Sequence, residues 1–203
     1  MHDNRSRFIR LTLSVTLSMW LTGCGDARGP YADNASQPRD VVKAEERYQA
    51  AVTQLAEKTP DDEKTEKLIR EALGFDLYHG AAHNNLGVLL LRKDRLYDAA
   101  EEFEWARKLL PGHPEPRVNL AIALDRGGKH QEALEAARAA LEVRPGNLPA
   151  IKTIAVIQLR EAQTDDLTRG YLDTIIQRSN DPQWKDWAER NKLALEARNP
   201  LTR

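Results

Sequence analysis

The sequence lacks the features that mark several specialised classes of protein. It has one cysteine among 203 residues, so no disulfide can form within the chain. Its 30 lysines and arginines are balanced by 31 aspartates and glutamates, and it has no basic block that would hold nucleic acid. Aromatic residues make up only 6% of the chain, while 41% is hydrophobic. Most of the chain is therefore predicted to form an ordinary soluble domain without a nucleic-acid partner.

A long hydrophobic run is also missing, but a short one lies near the N-terminus. It spans residues 11–23, which is fewer than the roughly 20 residues that a transmembrane helix needs. The basic residues in front of it are Arg5, Arg7 and Arg10. Residues 1–23 are therefore predicted to be a signal peptide, and the single cysteine, Cys24, follows them directly.

The four residues that end in Cys24 read Leu-Thr-Gly-Cys and resemble the bacterial lipobox. The resemblance implies that the sulfur of Cys24 carries a diacylglycerol and that this residue becomes the first of a mature lipoprotein. Two or more acyl chains, palmitate among them, suffice for stable membrane anchoring. The alternative is a plain secretory signal peptide whose cleavage region happens to contain a cysteine.

The residues after the cysteine predict how the folded part is held. Residues 24–40 are rich in glycine, proline, aspartate and asparagine without an apolar period, which is typical of a flexible tether. In enteric bacteria an aspartate directly after the lipidated cysteine retains a lipoprotein in the inner membrane, and Gly25 stands there instead. The expected location is the bacterial cell envelope, lipid-anchored and facing the periplasm, with the outer membrane slightly favoured.

The rest of the chain repeats with a period of 34 residues, most clearly between 80–113 and 114–147. Small side chains at matching positions allow two helices to cross closely, and proline ends a helix. The matching pairs are Leu86 with Leu120, Gly87 with Ala121, Ala99 with Ala133, Ala106 with Ala140, and Pro111 with Pro145.

This pattern resembles the tetratricopeptide repeat (TPR). The resemblance implies an all-α fold, a right-handed superhelix of helix pairs, over residues 41–199. Two weaker repeats flank the clear ones at 46–79 and 148–181, as expected for terminal repeats that face solvent on one side. Residues 182–198 are predicted to form a capping helix over the last repeat.

The outer units keep only part of the pattern. The first retains Val52 at the position of Leu86, and the last retains Tyr171 at the position of Phe103. The predicted capping helix begins at Pro182, and its apolar residues are Trp184, Trp187, Leu193 and Leu195. An aromatic pair three residues apart on a helix is more often core than a cofactor site.

In TPR folds the first helix of each pair lines a concave groove. One exposed position of that helix holds Asn85, Asn119 and Thr153 here, and another holds Arg92, Arg126 and Arg160. Amides can bond to the backbone of an extended peptide, and arginines favour carboxylates, so a protein or extended peptide with acidic character is the predicted partner. Alternatively, the arginines interact with helix carbonyls and are neutralised by Asp94 and Asp125.

Nothing in the sequence predicts an enzyme. Phosphate-binding, dinucleotide-binding, serine-hydrolase and metalloprotease motifs are absent, so no catalytic residue, cofactor, metal or small-molecule substrate is expected. His79 and His83 are four apart, but no third ligand with zinc spacing is nearby. His83 is better explained as the large first residue of its repeat.

These features predict a membrane-anchored adaptor that presents a groove to another protein. Small TPR lipoproteins of this layout resemble pilotins and accessory lipoproteins of pilus systems, which suggests a role in pilus or secretion machinery assembly. The alternative is a regulatory or scaffolding subunit of a periplasmic envelope enzyme, such as a cell-wall hydrolase.

Overall fold

The structure is a computed structural model that describes residues 38–198. The predicted signal peptide, Cys24 and the tether as far as residue 37 lie outside the described residues, as do residues 199–203. Within the described range every regular element is an α-helix. The helices are α1 (Val41–Leu55), α2 (Asp62–Phe75), α3 (Gly80–Arg92), α4 (Leu96–Leu109), α5 (Glu115–Arg126), α6 (His130–Val143), α7 (Leu148–Arg160), α8 (Asp166–Arg178) and α9 (Pro182–Arg198).

Consecutive helices pair into hairpins that stack on one another. The pairs are α1 with α2, α3 with α4, α5 with α6 and α7 with α8; the second helix of each also contacts the helix that follows it. The last helix, α9, covers α8. The predicted all-α array of helix pairs with a C-terminal capping helix is therefore confirmed for the described residues.

The small residues predicted at the helix crossings lie in the core. A Cβ atom on Gly87 would lie only 2.5 Å from Cε1 of Phe103 in the paired helix α4. In the next hairpin the same two positions hold Ala121 and Ala137, and both are fully buried. The two hairpins thus fill equivalent crossings in different ways. In the α3–α4 hairpin the Phe103 ring packs against the backbone of Gly87, and in the α5–α6 hairpin two alanine side chains take these positions. The other predicted packing residues of these helices are also buried: Leu86, Ala99, Ala106, Leu120, Ala133 and Ala140.

The turns inside three hairpins share a left-handed residue at the same repeat position. Asp94, Gly128 and Ala162 have φ angles of 59°, 78° and 53°. The next amide then donates to a carbonyl five residues back, as Lys129 N does to Leu124 O at 2.9 Å, which is a Schellman ending. Between hairpins, the second helix ends before an exposed proline, Pro111 or Pro145, which cannot continue it because it has no amide hydrogen.

The two outer hairpins depart from the 34-residue period. Their internal connections, 56–61 and 161–165, are longer than the connections 93–95 and 127–129 of the central hairpins. With these extra residues, the buried side of the helix is one residue away from the position that the 34-residue period gives. Ala51 is fully buried and Val52 half-buried, and Leu172 is fully buried and Tyr171 half-buried. The positions predicted for Val52 and Tyr171 are thus taken by the adjacent residues, because the length of a turn sets which helix face meets the core.

The capping helix packs through most of its predicted apolar face. Trp184, Trp187 and Leu195 join a core cluster that contains buried residues of α7 and α8, and the two tryptophan rings meet edge to face at 5.3 Å. Leu193 differs from the prediction, since 66% of it is exposed. The described helices include none that is both long and apolar enough to cross a membrane.

A buried polar pair, His83 of α3 and Glu102 of α4, lies between these two helices. His83 Nδ1 is 2.6 Å from Glu102 Oε2, and His83 Nε2 is 2.8 Å from the carbonyl oxygen of Leu77. The His83 side chain is fully buried and that of Glu102 is 4% exposed. Because a carbonyl can only accept, Nε2 carries a hydrogen and donates it to Leu77, which turns Nδ1 toward the Glu102 carboxyl group. The imidazole also stacks on Trp105 at 5.4 Å.

Candidate functional site

The first helices of the last three hairpins, α3, α5 and α7, lie side by side and share one face. α3 contacts α5, and α5 contacts α7. Each carries a polar residue and a β-branched apolar residue three positions later, which places both on the same side of the helix. These pairs are Asn85 with Val88, Asn119 with Ile122, and Thr153 with Val156. We call this face, together with Trp184 of α9 at its C-terminal end, the groove.

The predicted asparagines belong to a chain of hydrogen bonds across three helices. Asn119 Nδ2 donates to Asn84 Oδ1 at 3.0 Å, and Asn84 Nδ2 donates to Asn85 Oδ1 at 3.4 Å. Asn85 Nδ2 in turn donates to the hydroxyl of Tyr48 in α1 at 3.1 Å. All four side chains are partly exposed, so each amide keeps further donor or acceptor capacity for a ligand. We call these four residues the amide chain.

Thr153 lies beyond the amide chain, on α7. Its hydroxyl donates to the carbonyl of Pro149 at 3.0 Å, a bond within its own helix. It therefore does not extend the amide chain and lines the cleft at the C-terminal end of the groove.

This cleft lies between α5, α7 and α9 and measures about 380 Å³. Its walls are largely apolar, formed by Val118, Ile122, Val156, Ile157 and Trp184. Polar side chains stand at its edge: Asp125, Lys152 and Thr153. The cleft is a concave apolar surface with a few polar groups, which is the general character of binding sites in proteins.

The two charged residues of the cleft differ in how they are paired. Asp125 is contacted by Arg160, with Nη1 to Oδ2 at 3.0 Å, and by His130 Nδ1 at 2.9 Å. Burial opposes ionisation of this carboxyl, but the hydrogen bonds from Arg160 and His130 outweigh it and lower the pKa of Asp125. The Lys152 ammonium instead lies 4.5 Å above the ring of Trp184. Among the described residues no carboxylate is within 4 Å of that ammonium.

The three predicted arginines each reach back to the preceding part of the array. Arg92 bonds to Asp62 of α2, Arg126 donates to the Leu91 carbonyl at 2.9 Å and to Asp94 at 2.6 Å, and Arg160 binds Asp125. The arrangement matches the alternative in which acidic neighbours neutralise the row. The arginines thus join successive hairpins, and a direct contact with a ligand stays a prediction.

The two histidines weighed as a zinc pair have other contacts. His79 Nδ1 accepts from the amide of Ala82 at 3.1 Å and caps α3, while its Nε2 is 3.1 Å from Glu45. His83 lies in the core with Glu102. Within the part of the chain that the structure describes, no group of three histidine, cysteine, aspartate or glutamate residues is placed to hold a metal ion.

The sequence analysis did not predict the apolar residues of the groove, although the repeat period indicates them. Val88, Ile122 and Val156 are 34 residues apart, and each lies three residues after Asn85, Asn119 or Thr153, so they share the side of the helix predicted to line the groove. Apolar residues on such a side indicate a binding surface. Tyr48, Asn84 and Lys152 were missed as well. Their roles depend on contacts between hairpins or with the capping helix, which the repeat period does not specify.

Known proteins resemble this chain in fold but only weakly in sequence. No protein-family model matches the sequence, and no curated protein is similar to it in sequence. PilF of Pseudomonas aeruginosa superposes with a TM-score of 0.62 at 20% identity, over 79% of this chain and 78% of PilF. YrrB, described as a TPR protein with an unusual peptide-binding site, gives 0.60 at 20% identity, over 72% of this chain and 74% of YrrB.

A third similar structure contains a bound peptide. The first TPR of Spaghetti (RPAP3), bound to an HSP90 peptide, gives a TM-score of 0.57 at 18% identity, over 61% of this chain and 97% of that domain. Together with the stacked hairpins, these likenesses define the class: the chain is a TPR-type helical solenoid.

Proposed function

We propose that this protein is a membrane-anchored TPR adaptor of the bacterial cell envelope that binds a protein partner through the groove. The observation that carries the proposal is the groove itself, in which a partly exposed amide chain continues into an apolar cleft. Both surfaces suit a polypeptide, because amides bond to its backbone and the cleft accepts its apolar side chains. The peptide-bound Spaghetti domain, which shares the fold, supports this choice of ligand.

The membrane anchor in this proposal is Cys24. Its support is the Leu-Thr-Gly-Cys sequence at the end of a signal-like segment. Lipid on this cysteine would hold the helical array at the periplasmic face of the envelope, with the outer membrane favoured. A role in pilus or secretion machinery assembly fits this layout of a signal-like segment, a lipobox-like cysteine and a helical array.

Partner capture should depend on position around the array. A photoreactive amino acid at Thr153, which lines the cleft, is expected to crosslink the partner in living cells. The matched control is the same amino acid at Glu101, which is exposed on α4 outside the groove. The double change Asn85→Ala and Asn119→Ala should lower the crosslinking yield at Thr153 with helicity unchanged. Equal crosslinking from Thr153 and Glu101 would contradict binding through the groove.

Replacing Cys24 with serine should detach the protein from membranes, because serine has no sulfur to carry the diacylglycerol and the acyl chains supply the membrane affinity. We expect the variant in the soluble or uncleaved fraction and the parent protein in the detergent-dependent fraction, measured by fractionation and immunoblotting. A variant that still needs detergent for release, with its signal segment cleaved, would rule out the lipid anchor.

A further inference from the structure

The cleft at the C-terminal end of the groove can accept a large apolar side chain. Its volume of about 380 Å³ is near the lower limit of the roughly 300–1,000 Å³ typical of ligand pockets. Its apolar lining comes from Val118 and Ile122 of α5, Val156 of α7 and Trp184 of α9. The apolar lining suits a large aliphatic or aromatic side chain, and the volume leaves room for the ligand atoms beside it.

The charge at the edge of this pocket is positive. Asp125 is held by Arg160 and His130, so its charge is already compensated within the protein. Lys152 has no such partner among the described carboxylates, and the Trp184 ring holds its ammonium over the pocket wall. A ligand group beside the buried side chain therefore meets a cation, and a carboxylate is its complement.

The pocket also continues into the amide chain. Asn119, the last member of that chain, directly follows Val118 of the pocket wall and lies one helical turn before Ile122. A ligand whose side chain enters the pocket can thus place its backbone along Asn119, Asn84 and Asn85. An extended peptide leaves its backbone donors and acceptors free for such bonds, whereas a helix has used most of them internally.

Resting on the proposed function, we infer that the partner presents an extended segment in which a large apolar side chain fills the cleft and an adjacent carboxylate pairs with Lys152. The apolar side chain contributes the larger share of affinity, because burial of one such group changes affinity by roughly 10- to 150-fold. The carboxylate selects among apolar segments, since a partly exposed ion pair changes affinity by only about 1.4- to 5-fold.

The test is selection of peptides from a phage-displayed random library by the full chain carrying Cys24→Ser, so that neither acyl chains nor detergent compete for the cleft. Selected peptides should be enriched in an apolar residue next to aspartate or glutamate. Val156→Asp should weaken binding of a selected peptide by about 10- to 100-fold, measured by fluorescence anisotropy. Lys152→Glu replaces the attraction with a repulsion of similar size, so it should weaken binding by about tenfold and should change the selected neighbour from acidic to basic.

Lys108→Glu is the matched control, because it makes the same charge change on α4 outside the groove and should leave selection unaltered. Circular dichroism of each variant checks folding, and Lys152→Glu still decides the question if Val156→Asp fails to fold. Selected peptides that depend on Asn85 and Asn119 but ignore both cleft variants would overturn this inference and leave the proposed function standing.

Three other outcomes would contradict the inference, and the first of them would also count against the proposed function. Failure of the folded chain to select any peptide would count against the proposed function as well. Apolar peptides selected without an acidic neighbour would remove the role of Lys152. Self-association of the chain in sedimentation that Val156→Asp abolishes would mean that a second copy occupies the cleft, which also contradicts the inference.

Discussion

Changing Gly87 to leucine is expected to lower the free energy of unfolding by about 3 kcal/mol or more, since overpacking a filled core costs about 1–3 kcal/mol and occasionally more. Even a Cβ atom at this position would lie 2.5 to 2.9 Å from three carbon atoms of the Phe103 ring. The ring is fully buried in a core cluster to which the helices α1 to α5 all contribute. For a chain of this size the melting temperature should fall by roughly 6–12 °C, which calorimetry or thermal circular dichroism measures.

A matched glycine separates this contact from general helix effects. Gly170 in α8 is exposed, and no heavy atom lies within 4 Å of a Cβ placed there. Gly170→Ala should therefore raise stability by about 0.5–1 kcal/mol, because alanine restricts the unfolded chain and favours the helix. If Gly87→Ala also stabilised the protein, the close approach of α3 and α4 would be wrong.

A double-mutant cycle tests the partner of Gly87 directly. Combining Gly87→Ala with Phe103→Leu moves the crossing toward the Ala121 and Ala137 arrangement of the next hairpin. The double variant should be more stable than the sum of the two single effects, by at least about 0.5 kcal/mol. Strict additivity would show that these two side chains do not share the crossing.

The repeat period explains why the central fold was predictable from sequence. Gly87 and Ala121, or Ala99 and Ala133, are recognisable because the same packing problem recurs every 34 residues. The outer hairpins lack this redundancy. Their longer connections at 56–61 and 161–165 shift the helix phase, and nothing in the period specifies that shift.

The candidate site was only partly predictable for a related reason. Asn85 and Asn119 follow from the repeat position, but the bond from Asn85 to Tyr48 joins two hairpins. The contact of Lys152 with Trp184 likewise depends on where the capping helix docks. Side chains within one hairpin are related by local spacing, whereas the groove is made by stacking, and stacking geometry is settled by packing over the whole array.

The buried pair of His83 and Glu102 should produce the other large stability effect. Glu102→Ala removes the carboxylate 2.6 Å from Nδ1 and leaves a buried imidazole beside a cavity. Removing one member of a buried hydrogen-bonded pair costs about 1–3 kcal/mol, and the cavity adds to this cost. The total is a large fraction of the roughly 5–15 kcal/mol that holds a typical domain together. Urea denaturation followed by circular dichroism measures the change in free energy, and a loss below about 1 kcal/mol would contradict it.

Two further variants distinguish a required polar pair from a site that needs only volume. Glu102→Gln can donate an N–H to a neutral Nδ1 while Nε2 still donates to the Leu77 carbonyl at 2.8 Å, so its loss should be smaller than that of Glu102→Ala. His83→Leu combined with Glu102→Leu replaces both polar groups, and such exchanges are often neutral or stabilising. Here, however, the Leu77 carbonyl would lose its donor, which costs about 1–3 kcal/mol. The free energy of unfolding of the double variant should therefore lie between that of the parent protein and that of Glu102→Ala. The double change removes both side-chain polar groups, but the Leu77 carbonyl is part of the backbone and stays buried.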